Sequence, residues 1–131
     1  MKGSVIITGA SSGIGRALAF EFSKRGYSLG LCARRLNLLE SLKDELSEYT
    51  SVSIARLDLS ELNSIRDVFY NLEKNLDNIK IVIANAGVAE KSFPGEDTFD
   101  IDKKIININL LGAIATIDVG VEVLKKNNGG Q

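Results

Sequence analysis

Histidine is absent from the 131 residues, which removes the usual general base and the commonest metal ligand and so excludes Ser-His-Asp chemistry and most zinc sites within this chain. The single cysteine, Cys32, has no second thiol to pair with, so neither a disulfide framework nor a thiolate metal site can form. It reads as a small core residue in a reducing cytoplasm, and no metal site is expected. Neither sign of charge dominates. The 16 basic and 17 acidic side chains give a formal net charge of -1, so no basic field draws in nucleic acid and no acidic tail marks a solvating segment. Behind Met1-Lys2-Gly3 the chain enters a five-residue β-like run and then a glycine turn, too short for a signal-peptide core or a membrane span. The expectation is a soluble, cytoplasmic protein with no membrane and no nucleic-acid partner. No internal repeat, low-complexity tract or linker interrupts the chain, and 44% hydrophobic residues suffice for one core, so residues 1–131 read as a single domain.

What is present alternates. Ser4 to Thr8 is β-branched and apolar, Gly9 to Gly15 is a glycine-rich turn, and Arg16 to Arg25 carries Ala17, Leu18 and Phe22 at helical spacing with Gly26 as its cap. A second apolar run, Tyr27 to Ala33, precedes a helix over Leu36 to Glu48 with Leu38, Leu39, Leu42 and Leu46 on one face. A third strand is expected over Val52 to Leu57, a third helix behind a Ser60 cap, and a fourth strand over Ile79 to Ala84. Strands this apolar are covered on both faces, as in a parallel sheet. Right-handed crossovers then give an α/β, Rossmann-type doubly wound sheet of order 3-2-1-4, with the first two helices on one face, the later ones on the other, and the ligand crevice at the carboxyl ends of strands one and four. A last helix, Phe99 to Lys126, is apolar on nearly every side and needs cover from more sheet, another subunit, or both.

Thr8-Gly9-Ala10-Ser11-Ser12-Gly13-Ile14-Gly15 stands between strand and helix, the context in which a glycine pattern becomes a phosphate turn. Gly9 permits the tight turn, Gly13 lets backbone amides approach a pyrophosphate, and Gly15 lets the helix lie close to the sheet with its N-terminus facing the anion. Ser11, Ser12 and the backbone of Ile14 complete the set. No Lys-Ser or Lys-Thr follows, which disfavours a nucleotide triphosphatase loop. The turn resembles that of the classical short-chain dehydrogenase/reductase family, which reads Thr-Gly-x-x-x-Gly-x-Gly as here; the family's extended branch would need a glycine in place of Ser12. The resemblance implies a nicotinamide cofactor and a small carbonyl or alcohol substrate.

Three further motifs bear on that resemblance. NAD-specific Rossmann folds carry an acidic residue about 20 or more residues beyond the turn to hold the ribose hydroxyls. Here the second strand ends in Ala33-Arg34-Arg35, where a small residue leaves room and guanidinium groups can hold a ribose phosphate, Arg34 first and Arg35 second. NADP(H) is the cofactor read from this. Asp58-Leu59 matches the family's adenine-side pair, although Asp-Leu-Ser before a helix is also an ordinary turn. Asn85-Ala86-Gly87 matches its Asn-Ala-Gly segment, where small residues admit the nicotinamide ribose and the Asn amide ties strands together.

The family's proton relay uses an Asn in the long helix, then a Ser, then a Tyr and a Lys four residues apart. Asn109 matches the first, and a buried Asn on an apolar helix must be paired, which points to a role in holding backbone or water. The other three are expected beyond Gln131, behind the Gly129-Gly130 turn, so the chain reads as the cofactor-binding N-terminal part of a longer NADP-dependent oxidoreductase, itself inactive. Tyr70 and Lys74 show the right spacing but precede Asn85, and at ~100° per residue they point ~140° and ~180° from Ile65, toward solvent. They read as a decoy. The resemblance further implies a homodimer or homotetramer through the 99–126 helix. A non-catalytic nucleotide-binding sensor or assembly module is the alternative; a Rossmann-like methyltransferase would want an acidic residue where Ala33 and Arg34 stand.

Overall fold

The computed structural model describes residues 2–131. Its strands are β1 (Ser4–Thr8), β2 (Ser28–Ala33), β3 (Val52–Arg56) and β4 (Ile79–Ile83), all paired in parallel in the order β3-β2-β1-β4. The helices are α1 (Gly13–Lys24), α2 (Leu36–Leu46), α3 (Ile65–Glu73), α4 (Phe99–Ile106) and α5 (Gly112–Lys126). This is the doubly wound order expected from the apolar runs, and apart from the start of α3 the element limits lie within three residues of the expected ones. Alternate residues of β1 face opposite sides, as a two-residue period requires. Val5 and Ile7 join Leu29, Leu31, Leu39, Leu42 and Leu46 in one core cluster beneath α1 and α2. Ile6 and Cys32 join Ile65, Phe69, Leu72, Val119 and Val123 in the other, beneath α3 and α5.

The turn chemistry between elements is partly as read. Gly26 ends α1 at φ 81°, donating to the Ser23 carbonyl at 3.0 Å while Tyr27 donates to the Phe22 carbonyl at 3.1 Å. Those two bonds are a Schellman cap, and its accompanying apolar contact is the edge-to-face pair of Phe22 and Tyr27, with ring centroids 5.4 Å apart. Ser60 does not cap α3. Its hydroxyl turns back to Asp58 Oδ1 at 2.7 Å, and the chain passes through a 3₁₀ turn, Leu62–Ser64, before α3 begins at Ile65.

The last helix is continuous but not uniform. Between α4 and α5 the backbone widens into a π segment, Asn107–Leu111, a local feature that hydropathy spacing does not reveal. By length and composition this 28-residue stretch would reach across a bilayer, yet it lies along the sheet as a layer helix. Gly120 is set so close to β4 that a Cβ there would stand 3.0 Å from Val82, and Val119 and Val123 are buried. The opposite face is open, with Leu110, Ile114 and Ile117 each more than half exposed (55–56%). Tyr70 corrects the helical-wheel expectation: it is half-buried rather than solvent-facing, because α5 lies across α3 at that point. Its hydroxyl donates to Glu122 Oε2 at 3.2 Å, and the Lys126 ammonium sits 3.8 Å from its ring centroid. Beyond α5 the chain returns to the sheet. Gln131 donates to the Lys80 carbonyl and accepts from the Val82 amide, both at 2.8 Å, so the outer edge of β4 receives the first bonds of a parallel ladder.

Candidate functional site

The carboxyl ends of β1, β2, β3 and β4 converge on a cleft of about 280 Å³. Its floor is the glycine turn. Gly9 has φ 66°, and a Cβ there would lie 2.7 Å from the Ala86 Cα; one on Gly15 would lie 2.2 Å from the Gly9 carbonyl oxygen. No side chain fits at either position, so α1 is drawn against the end of β1. Gly13, at φ 54°, has nothing within 4 Å of its Cβ direction and leaves the approach to the helix open. Ser12 leads into α1 in extended conformation without a side-chain cap, and the first turn holds no acidic residue. The amides and positive end of the helix dipole are thus uncompensated by the protein, which suits them to an anion.

Along the β2 side, Arg35 Nη2 donates to the hydroxyls of Ser11 at 3.3 Å and Ser12 at 3.2 Å. Arg34 lines the cleft as well. Facing it from the end of β3, Asp58 accepts at Oδ1 from the backbone and hydroxyl of Ser60, at 2.9 and 2.7 Å. Those two bonds, with smaller help from Arg34 and Arg56 and some offset from desolvation, hold the Asp58 carboxyl below its ordinary value. Oδ2 lies 3.7 Å from Arg56 and is the less engaged oxygen. Asp58 is therefore both a turn residue and a cleft-lining acceptor, and Leu59 lines the cleft beside it.

On the β4 side, Asn85 Nδ2 donates to the carbonyls of Thr8 at 3.1 Å and Gly9 at 3.2 Å, while the Thr8 hydroxyl accepts from the amides of Asn85 and Ala86. These bonds lock the glycine turn to the end of β4. Asn109 lies in the π segment and is exposed, not buried as the apolar helix suggested. Its Nδ2 donates to the Val88 carbonyl and its Oδ1 accepts from the Val88 amide, each at 2.7 Å. Gly87 passes beneath this pair, where a Cβ would stand 3.2 Å from Asn109 Oδ1.

Eleven of the residues singled out from the sequence thus border one cleft; Gly13 and Gly15 shape its floor without lining it, and Asn109 reaches it through Val88. Cys32, Leu57, Val88 and Ile108 line it too and were not singled out as site residues. The first two stand at or just beyond strand ends, a signal that was available; Val88 and Ile108 depend on how the long helix crosses the sheet. Cys32 is fully buried, and desolvation pushes its thiol up to about 12, so it is an inert wall. Tyr70 and Lys74 do not line the cleft.

Residues 3–131 match the family model described as short chain dehydrogenase. The chain belongs to this family. Among its relatives, the chain resembles a protein named an uncharacterized oxidoreductase of Mycobacterium tuberculosis, 33% identical over 129 residues, which cover 96% of this chain and 51% of the relative. It is 38% identical over 121 residues to an NADP-dependent 3-hydroxy acid dehydrogenase of Schizosaccharomyces pombe, covering 90% of this chain and 43% of that one. An alcohol dehydrogenase from the archaeon Thermococcus sibiricus, solved in complex with 5-hydroxy-NADP, superposes with a TM-score of 0.89 at 31% identity over 97% of this chain and 55% of that one. The chain therefore spans about half the length of such relatives.

Proposed function

We propose that this chain is the NADP(H)-binding part of a short-chain oxidoreductase that moves hydride between the nicotinamide and a carbonyl or alcohol substrate. The observation that carries the reading is the meeting of the open N-terminus of α1 with two guanidinium groups and two serine hydroxyls, and no carboxylate, at the end of β2. The glycine turn, including Ile14, holds the diphosphate through backbone amides. Arg35, already seated on Ser11 and Ser12, and Arg34 beside it hold the 2′-phosphate of the adenosine ribose; charge-assisted bonds make this the selective contact. Asp58 accepts from the adenine amino group through Oδ2, with Leu59 against the ring. Ala86 and Gly87 admit the nicotinamide ribose close to the backbone. When bound, the cofactor supplies the hydride; what the chain contributes is orientation.

Asn109 acts in this reading by fixing the Val88 backbone at the edge of the cleft. Neither its amide nor any other described group at the cleft is placed as a Tyr-Lys acid/base pair, and in the one pair with that spacing Tyr70 is engaged with Glu122 between α3 and α5, away from the cleft. We place the Ser and the Tyr-x-x-x-Lys of the relay beyond Gln131, so this chain binds better than it catalyses. The S. pombe relative and the 5-hydroxy-NADP complex, each by its own name, support the choice of cofactor.

Competition titration with NADPH and NADH tests the reading. NADPH should bind at least about tenfold more tightly, since a charge-assisted pair contributes roughly 1.5–3 kcal/mol. The substitutions Arg34→Ala and Arg35→Ala should each shrink that preference, weakening NADPH more than NADH. Equal affinity in the parent chain, or tighter NADH, would overturn it.

A further inference from the structure

The loop between β4 and α4 is fastened to the helix that follows it at more places than Asn109. Two residues after Val88, Glu90 Oε1 accepts from the Lys104 ammonium of α4. Farther along, the Thr98 hydroxyl accepts from the Phe93 amide at 2.9 Å and lies 3.0 Å from the Ser92 hydroxyl, pinning the turn through which the loop enters α4. The segment from Val88 to Glu90 has no regular secondary structure and no backbone ladder; its polar attachments are Asn109 at Val88 and Lys104 at Glu90, and Val88 also packs against the core cluster beneath α3 and α5. Val88 is tied through its backbone and Glu90 through its side chain, so two attachments two residues apart fasten one short stretch of the loop to the long helix. Val88 is also a wall of the cleft, on the side away from the arginines.

We infer that Lys104 and Glu90 form a positioning clasp: by holding the loop two residues beyond Val88, the pair keeps the Val88 backbone seated on Asn109 and so sets the wall of the cleft on its β4 side. Neither side chain touches the cofactor in this arrangement. The inference rests on the proposed function for its consequence, whereas the clasp itself is a property of the free chain.

The test uses Glu90→Gln, Lys104→Met and the reversed pair Glu90→Lys with Lys104→Glu. Hydrogen exchange of the amides of residues 88–93 is measured without ligand, and NADPH affinity by titration. An exposed ion pair is of modest strength, so each single variant should speed exchange in that segment and weaken NADPH by about two- to fivefold, with exchange in α1 and α3 unchanged. The reversed pair should restore both. Unchanged exchange in the single variants, or a reversed pair that restores nothing, would overturn the clasp. Faster exchange with NADPH affinity unmoved would overturn its role at the cleft, whereas a parent chain that fails to bind NADPH would sink the cofactor reading and leave the exchange comparison standing.

Discussion

The two faces of the sheet are finished differently. Beneath α1 and α2 the residues of β1 and β2 that face them, Val5, Ile7, Leu29 and Leu31, are fully buried, and the helices that cover them are supplied by the short crossovers of the same β-α-β units. On the other face the long α4–α5 helix presents one stripe to the sheet while Phe99, Ile106, Leu110, Leu111, Ile114, Ile117 and Val121 stay exposed. A run of apolar side chains this long is not the scatter seen on ordinary surfaces. The lesson is that the first half of the chain satisfies its own packing, whereas the second carries surface that association would bury. We propose that a second copy of the protein covers the 99–126 helix, as a homodimer or homotetramer.

That contrast can be broken most sharply at its tight end. Gly15→Val should destabilise the chain by about 1–3 kcal/mol by overpacking, and weaken NADPH more than tenfold, because α1 must move off the Gly9 carbonyl. Thermal denaturation and titration read both; an unshifted melt would show that the phosphate turn is not held by this contact. On the open face, replacing Leu110, Ile114 and Ile117 together with Lys should weaken self-association by more than about tenfold, since the charges would need desolvation without partners, while the fold survives. Sedimentation velocity decides it: a parent chain that is monomeric at all accessible concentrations would remove the proposed interface.

Smaller effects separate the cleft from the rest. The depressed pKa of Asp58 means that its bonds to Ser60 stabilise the fold above the ordinary carboxylate value. That contribution should be lost as pH falls through the folded-state value. Asp58→Ala should therefore melt lower than the parent at neutral pH, with the gap closing as pH falls below the ordinary carboxylate range. A gap independent of pH would mean that the turn does not depend on the charge. The smallest effect expected is at Cys32, whose thiol is fully buried and raised to about 12. A maleimide at pH 8 should label the unfolded chain and leave the folded one untouched; rapid labelling would show that the sheet centre opens.

Most of the sheet was legible because apolar strand runs and glycine punctuation are local properties. The tight glycine turn was legible for the same reason, since Gly15 answers to the Gly9 carbonyl within one β-α unit. Ser60 was misread because a hydroxyl before a helix can cap forward or bond backward, and Asp58 offered the nearer acceptor. Tyr70 was misread because a helical wheel of α3 contains no information about α5, whose Glu122 and Lys126 turned a solvent position into an interhelical one.

From its order of residues alone, this chain determined the parallel 3-2-1-4 sheet, the place of the crevice and the absence of an acidic group beside Arg34 and Arg35. Only the tertiary structure decided that Asn109 holds both polar atoms of the Val88 backbone from a widened turn of helix, and that Lys104 reaches Glu90 beside it. The physical reason is range. Periodicity and turn chemistry act over a few residues, whereas these contacts join positions 14 to 21 apart, whose meeting depends on how the long helix crosses the sheet.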